Sequence, residues 1–169
     1  TLSRFRNTGD FFVSRVLGAV ATGHKETSEA ARLLLEAGGN AFDAALGAVC
    51  AACVAEPMLA SLGGGGYLLA HTSGGEERVF DFCVQVPSRN HGEMDFYPSQ
   101  ADFGTATQEF HIGMGSIAVP GVVAGLFAVH RSLGSLPLGE IVAPAAALAR
   151  RGVRLNPLQK YINEILQPI

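Results

Sequence analysis

The chain has 169 residues, 48% of them hydrophobic and only 16% charged, with a formal net charge of −3 and a pI near 5.9. That is enough for one domain with a substantial core, and the balance excludes a basic nucleic-acid binder or a basic membrane-surface helix. No apolar run has the length of a bilayer span, no signal-peptide layout is visible, and three cysteines do not make a disulfide framework, so the compartment stays open between cytoplasm and periplasm.

Residues 1–15 are weakly patterned and read as an extended arm. VLGAVATGH, Val16 to His24, reads as a buried strand. ETSEAARLLLEAGGN then carries the helical period, with Thr27 or Ser28 as cap, Glu29 suited to the first turn and Gly38-Gly39 as the stop. Ala30, Leu34 and Ala37 share one face, extended by Ala31 and Leu35. Asn40 caps a second helix, with Asp43 as reciprocal partner. That helix is small on every side (Ala41, Ala44, Ala45, Gly47, Ala48, Ala51, Ala52), which predicts a central, nearly enclosed position, and Pro57 ends it.

Four consecutive glycines, Gly63, Gly64, Gly65 and Gly66, precede YLLAHT, a strand; the glycines at 74 and 75 make a turn, and RVFDF is the returning strand of a hairpin. Residues 87–113, punctuated by Pro87, Gly92, Pro98, Gly104 and Gly113, read as an irregular stretch, and so as functional or mobile. GSIAVPG predicts a short strand running into Pro120. GVVAGLFAVHRSLG is a helix ending at Gly134. PLGEIVAPAAALARRG is helical, with Pro144 starting a new segment, and Asn156-Pro157 opens a last helix. Strands clustered between helical groups give α/β layers rather than an alternating βαβ series.

Taken alone, these residues make no complete active site. The glycine run follows a helix and opens a strand, the reverse of a dinucleotide fingerprint, and it lacks the lysine of a phosphate loop. Two readings stay open for it: close passage of another segment, or the lining of a substrate site. Cys50 and Cys53 form a CxxC deep in a helical pattern, which favours packing over redox or metal chemistry. The histidines at 24, 71, 91, 111 and 130 have no metal-ligand spacing, and His91, Glu93 and Asp95 read as a solvated cluster. Arg89 stands just after the second strand of the hairpin, where a guanidinium holds a carboxylate bidentately if it is not simply a surface charge. The scarcity of charge implies that some faces meet another segment or chain.

The stretch AVATGHKETSEAARLLLEAGGNAFDAALGAVCAACVAEPMLASLGGGGYLL, the FDF after it, and IAVPGVVAGLFAVHRSLGSLPLGEIVAPAAALARRGVRLN together resemble the γ-glutamyltransferase family over roughly residues 16 to 160. The resemblance implies that residues 1–169 are a single partial domain, the N-terminal portion of the family's large subunit, within the four-layer α/β/β/α sandwich of the N-terminal-nucleophile hydrolases. It implies a precursor that cleaves itself, freeing a threonine at the start of a small subunit. That hydroxyl, activated by its own α-amino group, attacks a γ-glutamyl or related acidic acyl amide, and water or an amine takes the acyl group.

On this reading the nucleophile is outside the chain and Thr1 is not it, since Thr1 precedes the signature. The fragment alone is inactive. Its partners are the rest of the precursor and a small-molecule amide, with no cofactor, metal, nucleic acid or membrane. The alternative is a degenerate, non-catalytic homologue serving as a binding module; a nucleotide-binding protein using the glycines is a weaker third. The family has Asp-Phe-Arg-Glu where this chain has Asp81-Phe82-Cys83-Val84. Cys83 cannot grip a carboxylate, and losing that contact costs about 2–3 kcal/mol. Either Arg89 takes the role or the substrate lacks that carboxylate. Cys83, Gln85 and Arg89 are thus the substrate-binding candidates, beside the structural glycine turn Gly63–Gly66.

Overall fold

The computed structural model describes residues 18–89 and 92–167. The arm expected at 1–15 and His91 lie outside them. Two helices open the described chain, α1 (Lys25–Glu36) and α2 (Ala41–Ala55). A hairpin comes next, β1 (Tyr67–His71) with β2 (Glu77–Asp81), then a second, β3 (Tyr97–Asp102) with β4 (Thr107–Ile112). A 3₁₀ turn (Met114–Ser116) leads into α3 (Val122–Leu133), α4 (Leu138–Arg151) and α5 (Pro157–Ile165). Both sheets have two antiparallel strands.

Helix α2 is the hub, packed against α1, α3 and α4. Its small residues let the neighbours approach: a methyl at Gly47 would collide with the Leu34 side chain and press tightly on the Ile141 carbonyl. Leu34, Leu46, Val122, Leu126, Val129 and Ile141 form the main core, with Leu68, Phe80 and Phe82 of the first hairpin against it. Ala30, Ala51, Ala55, Ala145 and Leu148 form a second cluster. The enclosure of α2 is incomplete, because Val49, Cys50, Cys53 and Val54 stay half-exposed.

The Asn40–Asp43 capping box forms as expected: the Asn40 side chain accepts from Phe42 N (2.8 Å) and Asp43 N (3.0 Å), and Asp43 accepts from Asn40 N (2.9 Å). Asn156 and Gln159 repeat the device at α5. Gly38, at φ 90°, stops α1 in the conformation glycine tolerates best. The first hairpin, α3 ending at Gly134 and α2 ending at Glu56 before Pro57 also agree with the sequence.

Five expectations need correction. Residues 18–24 form no strand, since no described segment pairs with them and a strand is made by its neighbour. The α1 cap is His24, whose Nδ1 accepts from Glu26 N (3.2 Å), while Thr27 is buried and donates to Glu56 Oε2 (3.1 Å). Within the stretch read as irregular, 97–112 folds as the second hairpin. The 114–120 segment makes only the 3₁₀ turn and an isolated bridge between Val119 and Gln85. Pro144 lies inside a continuous α4, because Ile141, Ala145 and Leu148 are buried along one side and hold both halves down.

Candidate functional site

The glycine run meets chain already present. None of its four glycines has a positive φ, so conformational freedom does not explain them; proximity does. A methyl on Gly65 would lie 2.9 Å from Cys83 Cα, and one on Gly66 3.0 Å from the Phe82 ring. Gly66 and Phe82 exchange backbone hydrogen bonds, Gly66 N to Phe82 O at 3.2 Å and Phe82 N to Gly66 O at 3.0 Å, continuing the β1–β2 ladder past its named ends. At Gly65 and Gly66 close passage of another segment is what the structure shows, and that segment is Phe82–Val84 of the same chain.

Gly64 has a different task. Its carbonyl accepts from Gly121 N (3.0 Å) and Val122 N (3.2 Å) at the start of α3. Those donors are the ones a phosphate would need, and they are occupied. Gly63 N in turn donates to Ser61 Oγ at 3.0 Å, which closes the turn before the run.

Phe82 is the joint of this region, and sequence reasoning missed it. It stands between Gly66, Gly121 and Gly125. A methyl at Gly121 would come within 2.7 Å of the Phe82 carbonyl carbon, and one at Gly125 within 2.5 Å of Phe82 Cβ. The spaced glycines after Pro120 thus admit Phe82 closely, Gly121 its backbone carbonyl and Gly125 its side chain. The signal was present as Gly-x-x-x-Gly on the first turns of a helix, but its partner is distant in sequence.

Fixing Phe82 also fixes residues 83–85. Cys83 is half-buried, and its N–H donates to Asp81 Oδ1 (3.0 Å). The Tyr67 phenol is raised above its ordinary pKa, first by the adjacent Cys83 thiol and then by Asp81, its cross-strand partner. Gln85 is held through its backbone: Gln85 N donates to Val119 O (3.0 Å) and Val119 N to Gln85 O (2.7 Å), while Gln85 Nε2 reaches Cys83 O at 3.4 Å. Cys83 and Gln85 therefore lie on one braced strip. Arg89 lies beyond it, exposed, and among the described residues no hydrogen bond or ion pair joins it to Cys83 or Gln85. The strip carries no guanidinium.

Beside the glycines is a cavity of about 520 Å³ lined by Val49, Cys53, Met58, Tyr67, Phe82 and Val122. A second cavity of similar size, almost wholly apolar, opens between α2, α3 and α4. Among the described residues no group of three or more His, Cys, Asp or Glu side chains could hold a metal ion, and no helix is long and apolar enough to cross a membrane.

A second polar centre also escaped the sequence reading. Asp43 is fully buried, and beyond the capping box its carboxylate accepts from Ser135 N (2.9 Å), Leu136 N (3.3 Å) and the Ser135 hydroxyl. Burial pushes its pKa up, but the bonds from Ser135, Asn40 and Leu136 outweigh that and hold it below the usual carboxylate value. Asn40 Nδ2 donates to Leu133 O at 2.7 Å. The α1–α2 junction is thereby tied to the α3–α4 junction.

Comparison with known proteins agrees with this architecture. The family model for gamma-glutamyltranspeptidase matches residues 27–167. The acylase ACY 1 proenzyme of Pseudomonas sp. (strain SE83) is 36% identical over 145 residues, covering 83% of this chain and 26% of the acylase. The glutathione hydrolase proenzyme of Escherichia coli (strain K12) is 30% identical over 154 residues, covering 88% of this chain and 26% of the hydrolase. The crystal structure of Helicobacter pylori gamma-glutamyltranspeptidase superposes with a TM-score of 0.72 at 29% identity, covering 88% of this chain and 43% of that one. The chain spans about a quarter of the length of the curated relatives it matches.

Proposed function

Because the chain belongs to the gamma-glutamyltranspeptidase family, we propose that the protein carrying it is a self-processing enzyme that transfers or hydrolyses a γ-glutamyl or related acidic acyl amide. The reaction runs through an acyl-enzyme on a threonine outside these 169 residues, exposed at a new N-terminus by self-cleavage. The observation that carries this is the family match over 27–167 together with the proenzyme relatives. The threonine hydroxyl attacks the amide carbonyl, the α-amino group takes its proton and later hands it to the leaving amine, and water or an acceptor amine releases the acyl group.

This chain's part is to build one wall of the acyl pocket and half of the scaffold. The wall is the segment from Cys83 to Arg89, of which the part up to Gln85 is braced by Phe82 and by the Gln85–Val119 bridge. The scaffold is one helix layer and one sheet of a four-layer sandwich. The outer face of the β1–β2 hairpin supports that reading: Tyr67, Leu69 and Val79 alternate on it with 66%, 75% and 68% of their surface exposed. Such a face suits burial against the sheet of the catalytic portion.

Arg89, beyond the braced strip on the same segment, is the residue able to hold an acyl-chain carboxylate. Arg89→Ala then raises KM for acidic acyl donors by roughly 30-fold, about 2 kcal/mol, and leaves KM for neutral donors unchanged. An equal effect on both donors removes Arg89 from the role. The reading as a whole is tested with the full-length protein and γ-glutamyl and glutaryl anilides. Release of aniline by a self-cleaved protein supports it; a cleaved or uncleaved protein that hydrolyses neither anilide contradicts it.

A further inference from the structure

The CxxC on α2 is not part of the strip at Cys83; Cys50 packs at the edge of both core clusters. Cys50 and Cys53 are free thiols, both half-buried, and both line the apolar cavity of about 520 Å³ between α2, α3 and α4. We propose that this pair is a dithiol capture site for trivalent arsenicals that carry an apolar substituent.

Spacing is the first argument. Residues three apart on a helix have Cβ atoms about 5–6 Å apart, whereas a disulfide needs about 3.5–4.5 Å. Direct oxidation of the pair would distort α2. A single atom bonded to both sulfurs spans the gap without moving the helix. Cys50 and Cys53 line one and the same cavity, so the gap between their side chains opens onto it.

The surroundings are the second argument. Val123, Phe127, Val142 and Ala146 form apolar walls, and Leu126 and Ala145 the floor. The hydroxyl of Ser61 is the side-chain oxygen among the lining residues, and it already accepts from Gly63 N at 3.0 Å. A hard cation finds no ligands here, and a tetrahedral zinc ion wants four. Burial keeps both sulfurs protonated. A trivalent arsenical suits neutral thiols, because its dithiol adduct is itself neutral and leaves no charge in an apolar cavity. With phenylarsine oxide, two S–H bonds break and two S–As bonds form. The arsenic–oxygen bond breaks, and the oxygen leaves as water with both thiol protons. Arsenic stays trivalent, so no oxidant or reductant is consumed. The phenyl ring occupies the cavity.

Intact-mass measurement on the full-length protein tests this. Phenylarsine oxide should add one phenylarsenic group per chain in an adduct that survives excess glutathione, a monothiol, and is reversed by dithiothreitol. Cys50→Ala and Cys53→Ala should each abolish the glutathione-resistant adduct, and Cys83→Ala should leave it in place. Alanine suits this Ala-rich helix, and an unchanged circular-dichroism melt verifies that the variants fold; Cys50→Ser and Cys53→Ser provide a second pair. No glutathione-resistant adduct on the parent protein, or one that persists in folded Cys50 and Cys53 variants, overturns the proposal.

Discussion

The helix junctions and the first hairpin are fastened by opposite means. At the junctions, one fully buried carboxylate, Asp43, gathers backbone donors from Asn40, Ser135 and Leu136 and the Ser135 hydroxyl. At the hairpin, one aromatic side chain, Phe82, sits in a slot between Gly66 and Gly125, with its backbone carbonyl against Gly121. The polar fastening is directional and fails abruptly when its acceptor is lost. The apolar one is a matter of volume and fails when anything is added. The junctions are sealed within the described residues, whereas the hairpin turns an apolar outer face to solvent.

Four changes break or sharpen this contrast, ordered by expected effect on the full-length protein. Asp43→Ala leaves several buried donors without an acceptor and should cost about 3 kcal/mol, the upper range for unsatisfied buried groups, read by denaturant unfolding. Gly125→Ala forces a methyl into the Phe82 ring and should cost about 2 kcal/mol. It should also weaken binding of the acyl donor, because the Cys83–Gln85 strip shifts with Phe82; an unperturbed KM would uncouple slot from strip. Asn156→Ala removes the α5 cap and should cost about 1 kcal/mol. Leu69→Ser, on the outer face of the hairpin, should cost at least about 1 kcal/mol in the full-length protein, where the proposed sheet-on-sheet contact covers that face. A change within about 0.5 kcal/mol would show that the face stays open.

Acid adds a separate probe of the polar fastening. Asp43 has a lowered pKa when folded, so its contribution is complete above the unfolded value of about 3.9 and is lost as pH falls through the lower folded value. Asp43→Asn should flatten the stability profile in that acid window, and an unchanged profile would assign the acid sensitivity to other carboxylates.

The features legible in the sequence were local. The capping box at Asn40, the Asn156-Pro157 start of α5, the glycine stop after α1 and the tight hairpin turn at Gly75 are written within a few residues, and each formed. The second hairpin was not legible because it shows little hydrophobic alternation: of β3, Ala101 alone is fully buried, and Pro98 lies within the strand. Pro144 misled for the converse reason, since tertiary burial of Ile141 and Ala145 overrode a local helix breaker. His24 as the α1 cap was hidden by the better-known cappers beside it, of which Thr27 turned inward to Glu56.

At the candidate site the sequence pointed to Cys83, Gln85 and Arg89 as substrate-binding candidates but not to what braces the first two. Cys83 and Gln85 were found through the family motif, whereas the bridge to Val119 and the Phe82 slot join residues roughly 35 to 45 positions apart, beyond any local pattern. The glycine run changed its meaning most. Two of its glycines admit Phe82 and Cys83 of the same chain, and a third lends its carbonyl to the start of α3.

The central proposal, a self-processing acyl-transfer enzyme, is tested most directly by the chain composition of the full-length protein after purification. Denaturing electrophoresis with N-terminal sequencing should show two chains, the larger carrying residues 1–169 and the smaller beginning with threonine. A single uncleaved chain under conditions where the protein is folded would contradict the account.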